Sequence, residues 1–319
     1  MKKGSMEYWP HRRAKRLMPR VRNTPNSTNK ETLGMVAFKA GMTHVMMIDD
    51  TDGPAKGTEV ARAVTVLEIP KVSVYGIRFY SKGYSSYRHS LGEAYDTALA
   101  AKVGIKSVKK NDLAGLKGMS DKLDDATALA FLDASVLGFG SKRIMRFEMP
   151  VGGKDVQEKI AFIEGMLGKE AKISEFIKPG DYIDVTSVSK GKGWAGIIKR
   201  FGAARRYRKS TGKIRHIGTL GAWHPPKVLF GVLQAGHLGY NYRTDINKRV
   251  LKIGSNADVN AVNVKGGFLN YGLIKNDYIL VDGSIPGPAK RLVRIRKSIR
   301  NNWPVKQPQL NYISLASKQ

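Results

Sequence analysis

Apolar residues in this chain come in short runs rich in β-branched side chains and broken by Gly, Pro and Asp: Met35-Val36-Ala37-Phe38, Val45-Met46-Met47-Ile48, Ala63-Val64-Thr65-Val66-Leu67 and Val72-Ser73-Val74-Tyr75. Runs of this length between turn-forming clusters predict successive strands of an antiparallel sheet or barrel. From about 81 to 142 the pattern shifts to Ala- and Leu-rich stretches such as Ala126-Thr127-Ala128-Leu129-Ala130-Phe131-Leu132. Their helix propensity predicts a mostly helical insertion with a few short strands. A clearer helix is expected over 154–167, where Val156, Ile160, Ile163 and Leu167 share a face, Asp155 lies near the start and Gly168 follows the end. Strands resume at Tyr182-Ile183-Asp184-Val185, Phe268-Leu269-Asn270-Tyr271 and Tyr278-Ile279-Leu280-Val281. In the last candidate strand Val293 and Ile295 alternate with Arg294 and Arg296, which gives one apolar and one cationic face. This order of elements predicts a mainly β fold, a β-barrel interrupted by an α/β insertion. No internal repeat of fixed period is evident.

With 319 residues and 42% hydrophobic content, the chain can bury one large core or two modest ones. It has no cysteine, which excludes disulfide staples, zinc ribbons and thiol nucleophiles and is consistent with a reducing, cytoplasmic setting. No apolar run approaches a membrane span, and Trp9-Pro10-His11-Arg12-Arg13 stands where a signal peptide would need an apolar stretch. The expectation is a protein that is neither exported nor membrane-bound.

The formal charge of +29 changes the picture because of where it lies. Residues 1–30 hold nine Lys and Arg against the single acid Glu7, residues 185–244 hold twelve against none, and residues 283–319 hold eight against none. The rest is nearly balanced, with 26 basic and 25 acidic residues. Three single-sign blocks on an otherwise neutral chain predict a polyanionic partner, since lysines and arginines brought to phosphates release condensed counterions. The first block, with Arg12, Arg13, Lys15, Arg16, Arg20 and Arg22 among Pro10, Pro19 and Pro25, has too little apolar surface to fold alone and reads as an arm.

Within the acid-free segment, Arg205, Arg206, Arg208, Lys209, Lys213 and Arg215 are too dense to pack in a core. They are expected to line an extended loop and contact phosphates. Gly218, Gly221, Trp223, Pro225 and Pro226 form its apex, with His224 beside the indole; an indole among small, rigid residues can stack on a base. Arg243 closes the segment. Gly191-Lys192-Gly193-Trp194-Ala195-Gly196 matches G-x-G-x-x-G, but the next acid is Asp245, so the ribose-binding carboxylate of a dinucleotide site is missing. These glycines instead predict close approach of backbone to phosphate, with Lys190 and Lys192 supplying charge. His11, His44, His89, His216, His224 and His237 include no i, i+4 pair, and neither a nucleophile elbow nor a P-loop is present. No catalytic residue, metal site, cofactor or small-molecule substrate is expected.

Several separated motifs, in order, resemble the ribosomal protein L3 family in its archaeal and eukaryotic branch. They are Phe38-Lys39-Ala40-Gly41-Met42-Thr43-His44, Val188-Ser189-Lys190-Gly191-Lys192-Gly193, Gly221-Ala222-Trp223-His224-Pro225, Gly239-Tyr240 with Arg243-Thr244-Asp245-Ile246-Asn247-Lys248, and Gly266-Gly267-Phe268. The resemblance covers nearly the whole chain. It implies a six-stranded, translation-protein-type β-barrel with an inserted α/β subdomain, an N-terminal arm and a long internal loop reaching into rRNA. It also implies a structural role in the large ribosomal subunit, alongside other large-subunit proteins. Early assembly would depend on it, and Trp223 would sit at a fingertip near the peptidyl transferase centre, where tRNA accommodation is modulated and RNA performs the chemistry. The corresponding division is a basic arm (1–33), a first part of the barrel (34–80), the insertion (81–142), barrel and helix (143–188), the RNA-binding loop (189–244), a second part of the barrel (245–297) and a C-terminal tail (298–319).

One departure from the family is visible. Eukaryotic relatives place a modified histidine shortly after the Arg-Lys pair of the loop, whereas this chain reads Arg208-Lys209-Ser210-Thr211 with its nearest histidine at His216, so that modification is not carried over. The 81–142 insertion is also shorter than in eukaryotic relatives, which favours the archaeal form. Two other classes remain open from the sequence: a free RNA chaperone, and an RNA-associated enzyme using a nucleotide at Gly191–Gly196.

Overall fold

A computed structural model describes residues 11–21, 23–25, 27–82, 88–105, 115, 118, 122–210, 212–301 and 303–317. The first β-branched runs form β1 (Gly34–Ile48) and β2 (Glu59–Ile69), an antiparallel pair in register from Phe38 opposite Glu68 to Ile48 opposite Glu59. β1 is buried without interruption from Gly34 to Ala40, then alternates from Met42 onward. The change falls at a register shift between Lys39 and Gly41. Continuous burial means that both faces of the first half are covered, whereas alternation means that one face is in water.

β8 (Tyr182–Val188), β11 (Tyr242–Gly254), β12 (Asp277–Asp282), β13 (Leu292–Lys297) and β14 (Leu310–Ile313) complete this sheet. The pairing path runs β13-β8-β11-β12-β2-β1 and returns on itself, because β1 also pairs with β13, Phe38 opposite Leu292. β14 adds to the far end of β1. Every pairing on this path is antiparallel.

A second sheet has the order β4-β3-β5-β6, with β7 beside β3. Its strands are β3 (Val72–Lys82), β4 (Arg88–Tyr95), β5 (Asp125–Asp133), β6 (Ile144–Pro150) and β7 (Glu170–Ala171). Helix α1 (Thr97–Lys102) and helix α2 (Val156–Met166) lie against it, α2 burying Ile160 and Ile163 on β5 and β3. Asp155 takes the N-cap position of α2, and Gly168 follows it with φ 77°. One buried cluster runs through both sheets, from Val36 and Phe38 to Ile77, Phe147 and Met149.

Two sequence expectations need correction, and a third gains a detail. Ala126–Leu132 is not helical: it is the central strand β5, buried throughout. Ala126, Ala128, Ala130 and Leu132 face the main core while Leu129 and Phe131 face a second cluster with Tyr75 and Val103, so a two-sided burial pattern overrode the helix propensity of alanine. Phe268–Tyr271 is not a strand but a tight turn closed by the Phe268 amide on the Gly272 carbonyl, with Asn270 at φ 61° and both aromatics buried. The cationic face of β13 is internal. Arg294 is 8% exposed, donates to the Glu148 carbonyl and lies over the Phe147 ring, and its burial lowers its pKa to about 10. Arg296 pairs at 2.9 Å with the fully buried Asp184.

Candidate nucleic-acid interface

β8 ends at Val188 opposite Tyr242, where β11 begins, so the whole 189–241 excursion leaves and re-enters the first sheet at one point. The amide of Ser189 bonds the Asn241 carbonyl at 2.9 Å and that of Tyr240 bonds the Lys190 carbonyl at 3.2 Å. Beyond them β9 (Gly191–Ala195) and β10 (Gly236–Gly239) form a two-stranded stem. The glycine pattern therefore lies in a paired strand, not in a strand-to-helix turn, and the helix that follows, α3 (Ile197–Phe201), is only five residues long. This geometry is not that of a dinucleotide site.

Gly239 shows why the stem needs glycine: φ is 81°, and a Cβ there would stand 2.0 Å from the Lys190 carbonyl oxygen. Arg200 clamps the two legs above the stem. Its guanidinium donates to the Gln234 carbonyl at 2.8 Å and rests where a Cβ on Gly236 would come within 2.6 Å. Arg200 carries this role without being distinguishable, by sequence, from the other cations of the segment.

Among the described residues from Gly202 to Ala235 the chain has turns but no strand or helix. Arg205, Arg206, Arg208, Lys209, Lys213 and Arg215 are all exposed there, as are His224 and the flanking Leu220, Leu229 and Phe230. Trp223 is 88% exposed. Arg206 differs from its neighbours because its guanidinium donates to the carbonyls of Ile217 at 2.7 Å and Gly218 at 2.8 Å, tying the loop to itself.

The N-terminal arm docks at the root of this loop. The Ala14 amide bonds the Tyr240 carbonyl at 2.8 Å, Asn241 donates its side-chain amide to the Arg12 carbonyl at 2.8 Å, and Tyr242 holds Arg16. Arg12, Arg13, Lys15, Arg16 and Arg20 remain exposed; Arg22 lies outside the described residues. Lys190, Lys192 and Arg243 are exposed on the same root. The sequence blocks around 12–20 and 185–244 are thus brought together, while Trp223 and its neighbours extend away from them along the chain.

The concentration of positive charge acts on groups nearby. Partial burial, then Arg243, Arg200 and His237, hold the His11 imidazole below its ordinary pKa. Lys39, its ammonium donating to the Ile285 carbonyl at 2.7 Å, has its pKa lowered to about 8 by burial first and by Lys190 second. Such a root favours anions, and the segment 185–244 from which it is built contains no acid to repel them. Sequence reasoning missed Trp194, which stands 80% exposed on β9; its membership in a glycine pattern hid it as an aromatic surface. Among the described residues no group of His, Asp and Glu could hold a metal ion, and no helix is long and apolar enough to cross a membrane.

The sequence matches the family model described as Ribosomal protein L3 over residues 1–125 and 134–319. It is 40% identical to the large ribosomal subunit protein uL3 of Methanobrevibacter smithii over 327 aligned positions, which cover 100% of this chain and 97% of that one. It is 38% identical to the corresponding protein of Methanothermobacter thermautotrophicus and 39% identical to that of Thermoplasma volcanium, each again covering 100% of this chain and 97% of the other. A match over nearly every position of both partners, with the motif-bearing root and loop inside it, leads to one assignment: the chain belongs to the ribosomal protein L3 family, in its archaeal form.

Proposed function

We propose that this protein is a structural constituent of the large ribosomal subunit, in the cytoplasm, that binds rRNA through its arm and loop and makes no bond itself. The observation that carries the reading is the acid-free excursion, rooted at one point of the sheet and exposed along its length to Trp223. A polypeptide with this much unbalanced charge and this little internal packing gains its order from a polyanion. The relatives, each a large ribosomal subunit protein uL3, support the same partner.

In this reading the closed pairing path is the six-stranded barrel of translation-protein type, and the second sheet with its helices is the inserted subdomain. Arg12, Arg13, Lys15, Arg16, Arg20, Arg22, Lys190, Lys192, Arg205, Arg208, Lys209, Lys213, Arg215 and Arg243 meet phosphates. Arg206 divides its donors between the loop and the RNA. Trp223 and His224 form the fingertip, directed to the peptidyl transferase centre, where they modulate tRNA accommodation. Docking of arm and root supports early assembly, and neighbouring large-subunit proteins complete the surroundings.

The test is sedimentation of a native extract through a high-salt sucrose gradient with this chain quantified in each fraction. One copy per large subunit is expected. A chain that stays at the top of the gradient would overturn the reading and return the free RNA chaperone to the front. Trp223→Ala is expected to leave the fold intact and to impair subunit assembly or tRNA selection; normal translation in that variant would remove the fingertip role alone.

A further inference from the structure

We propose that the β9–β10 stem carries a second stacking platform, in which Trp194 receives one unpaired nucleotide of the RNA in a groove beside the N-terminal arm. The inference deepens the RNA-binding reading above and rests on it. Trp194 and His237 are opposite one another in the stem, so their side chains share a face. On that face lies a groove of about 530 Å³, bordered by Arg13, Gly193, Trp194, His237, Leu238 and Tyr240.

Several features select a nucleotide as the occupant. An indole 80% exposed on a hydrogen-bonded strand has its backbone fixed before anything binds, so a base can stack on it with little ordering of the chain. Gly193 has φ 63° and open space where a Cβ would stand, which lets a sugar-phosphate backbone pass close to the chain. Arg13 and Lys192 are exposed, and the segment from 185 to 244 contains no acid, so the surroundings complement an anion such as phosphate. A nucleotide supplies both the π face for Trp194 and the anion for Arg13; an acidic peptide supplies the anion alone.

The test uses the whole chain carrying Trp223→Ala, so that the fingertip indole does not contribute, and compares it with versions that add Trp194→Ala or Trp194→Phe. The probes are pentaadenylate and a ribose-phosphate pentamer without bases. With Trp194 or Trp194→Phe, the base-bearing probe is expected to bind about ten-fold tighter than the abasic one. That advantage is expected to vanish in Trp194→Ala, with the slope of log affinity against log salt unchanged, because stacking neutralises no phosphate. An advantage that persists in Trp194→Ala would overturn the platform while leaving RNA binding in place. Binding of neither probe at low salt would overturn the RNA-binding reading itself.

Discussion

The hydroxyl of Tyr242 donates to the carbonyl of Arg16 at 3.1 Å and accepts from the amide of the same residue at 3.4 Å. A side chain at the start of β11 thereby substitutes for a strand partner and holds the basic arm against the root of the loop. Tyr242→Phe removes both bonds and leaves the ring in place. Because the contact is exposed, the expected loss is about 1 kcal/mol of local stability, a roughly five-fold faster exchange of the Arg16 amide. The thermal unfolding of the sheets is expected to stay unchanged. Amide exchange on the isolated protein checks this, and an unaltered Arg16 rate would show that other contacts hold the arm.

Glu68 is the corresponding device inside the protein. Fully buried on β2, it accepts from the amides of Lys275 and Asn276 at 3.0 Å each, from the side-chain amide of Asn276 at 2.7 Å and from the Tyr271 hydroxyl. One carboxylate thus fixes the connection that enters β12. Glu68→Ala strands several buried donors at once and is expected to cost about 3 kcal/mol or more, whereas Glu68→Gln keeps one acceptor and costs less. Chemical denaturation of both variants is the measurement; equal losses would mean that only the complete carboxylate holds this connection and that the single acceptor retained by Gln contributes nothing.

How far the sequence reached follows from these two sites. The strands around Phe38, Val66 and Leu280 were legible because alternation and β-branching are local signals, and α2 was legible from its apolar face, Asp155 and Gly168. β5 was not, because alanine spacing reads as helix unless one knows that sheets and helices cover both of its faces. The basic loop was legible as charge without acids. Its stem was not, because the pairing of Trp194 with His237 joins positions more than forty apart, and the roles of Arg200 and Arg294 depend on what lies across from them, at Gln234 and Glu148.

Backbone bonding within the loop is mostly local, such as Ser210 to Tyr207, Lys213 to Ser210 and Val232 to Leu229, with one longer link from the Arg206 amide to the Ile214 carbonyl. β12 by contrast pairs with β2 on one side and β11 on the other, and Tyr278 to Val281 are fully buried. In the isolated protein, amides of 203–225 are expected to exchange near the unprotected rate while those of 278–281 exchange only through global unfolding. Comparable protection in the two segments would contradict the view that the loop takes its order from RNA.

Lys39 makes stability depend on pH. Its folded pKa of about 8 lies below its ordinary value of 10.5, so between these limits the unfolded chain binds more protons than the folded one. Stability from this group therefore rises as pH climbs from 8 toward 10, and below 8 the buried ammonium costs a constant amount. The expected outcome is that the stability of the protein relative to Lys39→Met increases between pH 7.5 and about 9.5. Denaturant unfolding of both forms across that range tests it; a pH-independent difference would place the Lys39 ammonium in a better solvated site than its contact with Ile285 implies.

The stem offers a way to separate two reasons for glycine. At Gly239 the left-handed backbone, φ 81°, coincides with a steric limit, since a Cβ would meet the Lys190 carbonyl oxygen at 2.0 Å. At Gly193 φ is 63° and nothing lies within 4 Å. Gly193→Ala should thus cost only the backbone term, about 1–2 kcal/mol. Gly239→Ala adds overpacking against a main-chain atom that cannot rotate away, for a total of about 2–5 kcal/mol. The Ser189 and Tyr240 amides, which close the root, report the difference: both should lose protection in Gly239→Ala and largely keep it in Gly193→Ala. Because the stem stands outside the shared core of the two sheets, their unfolding should move little in either variant. Equal opening of the root in both would mean that left-handed strain alone, and not the approach of Lys190, governs how the loop is held.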